Sequence, residues 1–406
     1  MTLVEDVGTD PAAVDGWLAA HLPPAWVQAV QAEDWDAVER LRADPAVCGP
    51  VYAELAGAGL ATPGWPREHG GLGLSPDAAT AVVERVQHYR AHWPMSDFIS
   101  LALAGPTIAA HGTQEQKERF LAPTARGEIR WCQLFSEPGA GSDLAGLSTR
   151  AERQDDGTWL VNGQKVWSSF AHLADYGILM ARTDPSLPKH RGITYFLLDM
   201  RTPGVETRPL RQMTGDAEFN EVFLTDVVVP DEARLGAVND GWAVGISTLM
   251  QERSGLSGRP GVGPGRADQL LERARQTGAW ASEAVQDEVL GLLVRERVLQ
   301  MTTLRAFAEA GSGEPGAEGS IRKHANAVLL EDLACLAMDL EPQGGTSWPA
   351  GTPAPQATED FLSMKELSIA GGTSEIQRNI IAERLLGLPK DVDPEKGLPF
   401  DRRVRS

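Results

Sequence analysis

The sequence predicts an α+β multidomain protein: an N-terminal helical domain over 1–129, a middle β-barrel-like domain over 130–235, a C-terminal four-helix-bundle domain over 236–390, and a tail over 391–406. Three observations predict it. Up to about residue 128 the chain reads mostly as helix. Near residue 130 this gives way to short strand-like runs separated by turn residues. From about residue 236 the three-to-four spacing of packed helices returns over long stretches. A length of 406 residues, 42% of them hydrophobic, leaves room for two or three domains with a sizeable core.

Composition narrows the function classes. The formal charge of −19 sets up a field that repels nucleic acid and anionic lipid, so neither is expected as a partner. An anionic ligand would then need backbone N–H groups, a helix N-terminus or local arginines. The three cysteines, Cys48, Cys132 and Cys335, are scattered and form no CxxC pair, which argues against a disulfide framework or a zinc site. The eight histidines show no metal-ligand spacing. The opening stretch "MTLVEDVGTDPAAVDG" is acidic and does not read as a signal peptide, and no apolar run approaches a membrane span. The expectation is a cytoplasmic protein.

In the helical first part, "SPDAATAVVERVQHYRAHWP" opens with Ser75 as N-cap and Pro76 at the first helical position. "HGTQEQKERFLAPTARGE" follows as a short helix leaving a turn. In "GTWLVNGQKVWSSF" two strand-like runs flank Asn162-Gly163, a strong two-residue hairpin signal. "YGILMART", "GITYFLLDM", "VETRPLRQM" and "FNEVFLTDVVVP" read as further strands. "LGLLVRERVLQMTTLRAFAEA" and "IRKHANAVLLEDLACLAMDL" read as bundle helices. The Pro/Gly-rich stretch 341–360 reads as one long mobile loop.

Four segments are candidates for chemistry. "WCQLFSEPGAGSD" (131–143) runs from a strand into a loop whose N–H groups and hydroxyls suit a phosphate or a heterocycle edge, although such loops are usually only loops. "KVWSSF" (165–170) sets a tryptophan beside two hydroxyls; a core tryptophan is the commoner reading. Gly371-Gly372 precede a helix for which Ser374 and Gln377 fit a capping box, placing its start near Glu375. In "STLMQERSGLSG" (247–258), Trp242, Ile246, Leu249 and Leu256 form an apolar stripe with Arg253 on it and Glu252 at its edge. "GRPGVGPGRAD" is no dinucleotide fingerprint, because no strand precedes it.

Taken together, these segments resemble the acyl-CoA dehydrogenase family of flavoenzymes over roughly residues 30–390. The resemblance is densest from "GTQEQKERF" to "YGILMARTD" and again in "GGTSEIQRNIIAERLLGLP". It implies non-covalent FAD, a CoA thioester substrate (or an acyl-carrier protein in place of CoA), electron-transfer flavoprotein as acceptor, and a dimer, tetramer or mixed assembly. By the same resemblance, the backbone of Gln133, Leu134, Phe135 and Ser136 lines the flavin ring. Gly141 and Ser142 lie near the pyrophosphate. Trp167 packs on the isoalloxazine, Ser169 approaches its N5 edge, and Ser168 between them counts among the cofactor-binding residues. Gly372, Thr373, Ser374 and Glu375 meet the ADP part.

The implied reaction removes the α-proton of the thioester while hydride leaves the β-carbon. Such a carbon acid needs donors at the thioester oxygen and a carboxylate held in a dry pocket. Many relatives carry that glutamate where this chain has Gly371. In one branch it lies on the helix after the β domain, and the matching residue here is Glu252, followed by Arg253. Gly371 also removes a side chain from the implied pocket, which suits a branched or bulky acyl group. Two further departures concern FAD contacts between subunits. "ERARQTGAW" lacks the phenylalanine of Arg-x-x-Phe-Gly, with Arg273 and Arg275 either side of the expected arginine, and "LEPQGG" has Glu341 where Gln is usual. The alternatives are a flavin oxidase or oxygenase on the same fold, or a partner-dependent subunit.

Overall fold

The structure, a computed structural model, describes residues 12–92, 97–256, 265–310, 318–341, 344–349, 352 and 354–403, and at 252–256, 307–310, 318 and 344 the backbone alone. The chain forms two compact units. One comprises Met1–Leu210, Glu218–Thr248 and Glu395–Ser406; the other comprises Arg211–Ala217 and Leu249–Pro394.

The first unit begins with helices α1 (Ala12–His21), α2 (Pro24–Gln31), α3 (Trp35–Ala43), α4 (Pro45–Gly57) and α5 (Pro76–His88). Their apolar faces meet around Leu18, Trp26, Leu55, Leu60 and Val82. Side-chain caps punctuate the turns. Asp34 accepts from Ala37 N at 3.0 Å, and Ser75 caps α5 with Pro76 in its first turn, as the sequence indicates. A π-helical turn (Ile99–Ala104) leads into α6 (Gly105–His111) and α7 (Gln114–Ala125), the latter opened by a Thr113–Gln116 capping box. Gln116 continues past the cap and donates to Glu232 O (2.9 Å) and Arg234 O (3.0 Å), fastening α7 to the chain after the last long strand.

Eight strands form one mixed sheet: β1 (Trp131–Leu134), β2 (Arg150–Arg153), β3 (Trp159–Ser169), β4 (Tyr176–Arg182), β5 (Ile193–Asp199), β6 (Val205–Pro209), β7 (Phe219–Val229) and β8 (Arg234–Leu235). Their order is β6-β7-β3-β2-β4-β5-β8, with β1 parallel to β4. Leu134, Val161, Leu179, Phe196 and Val222 fill its core.

The expected hairpin at Asn162-Gly163 does not form, because β3 runs straight through both residues. Asn162 instead faces a bulge in which Thr225 and Asp226 of β7 oppose it. Its side chain accepts from Asp226 N (2.9 Å) and donates to Asp226 Oδ1 (3.1 Å), and Asp226 itself sits at φ +49°. Gly163 serves a close approach: a Cβ there would lie 2.7 Å from Thr149 Cα. Tertiary packing overrides the local turn preference.

Helix α8 (Gly241–Leu256) follows. Its most buried residues, Gly241, Val244, Gly245 and Thr248, differ from the expected stripe; Trp242, Ile246 and Leu249 are only half-buried. Small residues carry the packing. A Cβ on Gly241 would lie 2.6 Å from the Thr194 carbonyl carbon, and one on Gly245 would lie 2.7 Å from Met180 Sδ. Thr248 Oγ1 bonds Thr107 Oγ1 (3.0 Å) and Tyr195 Oη (3.1 Å). Residues 395–403 also belong to this unit. Phe400 N donates to Leu187 O (2.9 Å), Asp401 N to Pro185 O (3.1 Å), and the Arg182 guanidinium lies 3.9 Å over the Phe400 ring.

The second unit is helical: α9 (Arg266–Thr277), α10 (Glu283–Ala310), α11 (Glu318–Asp339), α12 (Gln356–Ser363), α13 (Glu366–Ile369) and α14 (Ser374–Ile380), ending in a π turn (Ile381–Leu385). Leu270, Val289, Leu292, Leu329, Leu333 and Leu336 make its core. Ion pairs set the alignment of the helices: Arg297–Asp268 joins α10 to α9, and Arg295–Asp332 joins α10 to α11, both at 2.6 Å. The stretch 341–360 is not one loop. Gly344–Thr346 form a short 3₁₀ turn, α12 starts at Gln356, and Thr358 Oγ1 donates to Gly345 O (2.7 Å). Residues 342–343, 350–351 and 353 of this stretch lie outside the described residues, as do 257–264 of the proline-crowded stretch. Among the described residues no helix is long and apolar enough to cross a membrane.

Candidate functional site

The loop from β1 to β2 carries the first candidate segment, and it is held from inside by charge. Lys165, fully buried on β3, donates to Phe135 O (3.0 Å) and to Glu137 Oε1 (2.8 Å). Glu137, itself buried, also accepts from Ser148 N (2.6 Å) and Thr149 N (2.9 Å), so both ends of the loop close on one carboxylate. Burial pushes Glu137 up, but the Lys165 charge and these hydrogen bonds outweigh it and hold the carboxyl below its ordinary range. Burial pushes the Lys165 ammonium down against the pull of Glu137.

Arg182 of β4 supports the far side of the loop, donating to Ala145 O (2.7 Å), Leu147 O (3.3 Å) and Lys189 O (2.8 Å). Burial lowers its pKa to about 10. Lys189 reaches both oxygens of Asp143 at 2.8 Å. The loop tip, including Gly141 and Ser142, is exposed; Gln133 and Ser136 are half-buried, and Leu134 and Phe135 are buried.

The second segment adjoins the first. Val166 N donates to Ser136 O (2.9 Å), and there β3 bulges, with Val166 and Trp167 together opposing Glu221. The extra residue reverses the facing of the strand. Lys165 and Ser168 both point inward, while Trp167 turns out, 60% exposed, at φ +61°. A bulky residue in the left-handed region is strained, and such strain concentrates at functional positions. Trp167 meets Phe219 edge-on at 5.9 Å, leaving its face open to solvent. The Ser168 hydroxyl is buried without a hydrogen-bond partner among the described residues, and Ser169 is half-buried. An exposed aromatic face beside a rigid loop of glycines and hydroxyls fits a planar heterocycle bearing phosphates, and so fits FAD.

The third segment lies in the second unit. Gly371 (φ +62°) and Gly372 (φ +89°) are both left-handed, a turn that disfavours any side chain. Lys323 of α11 donates to Gly372 O (2.6 Å), and buried Gln377 donates to both glycine carbonyls (3.1 Å each). The cap of α14 is Thr373, which accepts from Ile376 N (3.3 Å), and not Ser374. Gln377 is drawn inward to the glycine turn, so the expected reciprocal box cannot form and the helix starts one residue early. Ser374 is half-buried and Glu375 exposed.

Glu252 and Arg253 lie on α8 beyond Thr248, and their side chains are outside the described residues. The two departures from the resembled motifs meet each other: Arg273 Nη2 donates to Glu341 Oε1 at 2.6 Å.

Lys165, Glu137 and Arg182 were not among the residues singled out from the sequence. The alternation that puts Trp159 and Val161 in the core puts Lys165 there too, and a lysine in that phase was the available signal.

Comparison with known proteins gives three family matches: the acyl-CoA dehydrogenase N-terminal domain over 13–128, the middle domain over 132–227 and the C-terminal domain over 239–386. Acyl-CoA dehydrogenase FadE34 of Mycobacterium tuberculosis is 45% identical over 338 residues. That alignment takes in 83% of this chain and 46% of FadE34, so the chain spans about half the length of that relative. Acyl-CoA dehydrogenase IpdE1 of the same organism is 37% identical over 394 residues, 96% of this chain and 99% of IpdE1. Among solved structures, the ChsE4-ChsE5 complex from Mycobacterium tuberculosis superposes with a TM-score of 0.71 at 28% identity, covering 96% of this chain and 98% of that one. The Tcur3481-Tcur3483 steroid ACAD does so at 0.73 and 25%, covering 96% and 100%.

Proposed function

Because the chain belongs to the acyl-CoA dehydrogenase family, and is thus an oxidoreductase acting on acyl-CoA, we propose that it uses FAD to convert an acyl-CoA to the 2,3-enoyl-CoA, with Glu252 as the α-proton base. The observation that carries the reading is the β3 bulge, which turns the strained Trp167 outward next to a loop clamped by Lys165 and Glu137. Bound FAD supplies the hydride acceptor. The chain's own residues do the rest. The backbone of Gln133, Leu134, Phe135 and Ser136 lines the ring; Gly141 and Ser142 lie by the pyrophosphate; Trp167 covers the ring face, with Ser169 toward the N5 edge, while the inward-pointing Ser168 does not face that side of the strand. The turn at Gly372 and Thr373, with Ser374 and Glu375, takes the ADP part. The rigid loop spares reorganisation when the ligand binds.

Glu252, one turn beyond Thr248, removes the α-proton in a site that excludes water, and Arg253 organises it. Gly371 leaves room for a bulky acyl group. The relative named a steroid ACAD supports a ring-bearing thioester as the substrate class. Electrons then pass to an electron-transfer flavoprotein.

A second reading, a subunit of a mixed assembly, is favoured by the Arg273–Glu341 pair, since a glutamate on that arginine opposes its use for a phosphate. The test is anaerobic bleaching of the flavin by a panel of straight-chain and ring-bearing acyl-CoAs, wild type beside Glu252→Gln. A wild type that bleaches with ring-bearing thioesters, and a variant that keeps its flavin yet stays yellow, are expected. Equal bleaching by the variant removes Glu252 as base, and preference for short straight chains removes the substrate class.

A further inference from the structure

The chain has a formal charge of −19, yet the charge buried beneath the β1–β2 loop has the opposite sign. Lys165, Glu137 and Arg182 are all buried, and two cations with one anion leave a net positive charge there. The three groups are spent on different peptides. Glu137 turns its oxygens to Lys165 and to the N–H groups of Ser148 and Thr149. Arg182 serves the carbonyls of Ala145, Leu147 and Lys189. Only the Lys165 ammonium bonds the carbonyl of the ring-lining run, at Phe135 O, 3.0 Å away.

That carbonyl shares its peptide with the Ser136 N–H. The peptide is trans, so the N–H points away from Lys165. An ammonium on a carbonyl oxygen draws electron density along the peptide and makes the attached N–H a stronger donor. Ser136 is half-buried, its carbonyl is taken by Val166 N at 2.9 Å, and its N–H meets no acceptor among the described residues. The strengthened donor is thus left for a ligand. We propose that Lys165 is a positioning residue acting through the Phe135–Ser136 peptide, and that it favours the reduced flavin over the oxidised one. The inference rests on the reading of this loop as a flavin site. Two electrons and one proton add one negative charge to a flavin ring. A sharpened donor in a site shielded from water holds that charge better than it holds the neutral ring. What Lys165 sets is therefore the ratio of the two affinities, which is read as a reduction potential.

The test measures the two-electron potential of the bound flavin by anaerobic equilibration with reference dyes, beside the Kd of oxidised FAD, at pH 8 and with no thioester present. Wild type is compared with Lys165→Gln/Glu137→Gln, which removes both charges of the pair and strands neither, and with Lys165→Gln, which leaves the Glu137 carboxylate alone. Glutamine keeps an uncharged N–H donor at position 165. The double variant is expected to lose about three-fold of its preference for reduced FAD, which is about 14 mV at ~30 mV per tenfold for two electrons. Lys165→Gln is expected to fall further. A purely structural clamp weakens oxidised and reduced FAD alike, so Kd rises and the potential stays. That result, a higher potential, or loss of FAD by both variants with helix content kept, overturns this inference and leaves the flavin reading intact. A wild type that holds no FAD overturns both.

Discussion

Replacing Lys165 with methionine removes the ammonium that holds the β1–β2 loop while keeping most of the side-chain volume. Lys165 is fully buried and Glu137 nearly so, with their charges 2.8 Å apart. The variant leaves a buried carboxylate with only the Ser148 and Thr149 N–H groups. Breaking a buried pair on one side costs about 3–5 kcal/mol, or roughly 6–20 °C in Tm at about 2–4 °C per kcal/mol for a unit of this size. The sign with pH follows from Glu137. Its folded pKa lies below the unfolded value, so in the wild type its stabilisation is present above the unfolded pKa and is lost as pH falls through the folded one. In Lys165→Met burial acts on the carboxyl without its counter-charge and raises its pKa. The deficit should therefore be largest near pH 8 and shrink toward pH 5, where the carboxyl can take a proton. Lys165→Met/Glu137→Gln, with no stranded charge, should regain at least about 2 kcal/mol. Urea unfolding at both pH values measures this. A deficit below about 1 kcal/mol, or one equal at both pH values, would refute the reasoning.

Two further outcomes follow from the corrected local structure. Gly163→Val should destabilise by about 1–3 kcal/mol, because its side chain meets the Thr149 backbone; a neutral result in thermal unfolding would mean the strand can part there without cost. Thr373→Ala should cost about 1 kcal/mol and Ser374→Ala much less, since Thr373 caps α14; the reverse order in urea unfolding would restore the cap to Ser374.

Much of the scaffold could be read before any coordinates. Runs such as "YGILMART" and "FNEVFLTDVVVP" are strands, and Ser75-Pro76 opens its helix, because period and cap chemistry act locally. What escaped depends on partners distant in sequence. Asn162-Gly163 looks like a turn until Asp226 and Thr149 are beside it. The docked face of α8 is written in glycine and threonine, which a search for large apolar residues passes over. Lys165 reads as an ordinary surface lysine unless its strand phase is counted. Trp167 was legible as a residue of interest, but its outward turn comes from a bulge that the local sequence does not announce.

The contact of residues 395–403 with β4 and the chain after it bears on how the protein is made. Arg182 emerges from a ribosome roughly two hundred residues ahead of Phe400, the ring that covers it. At about 5–20 residues per second that interval is on the order of ten seconds or more, during which the helical second unit is synthesised in between. The β unit thus spends its early life without its last cover, and its completion awaits the end of translation of this stretch. A nascent chain stalled before residue 395 should be more open to proteases around Pro185–Leu187 than the finished protein.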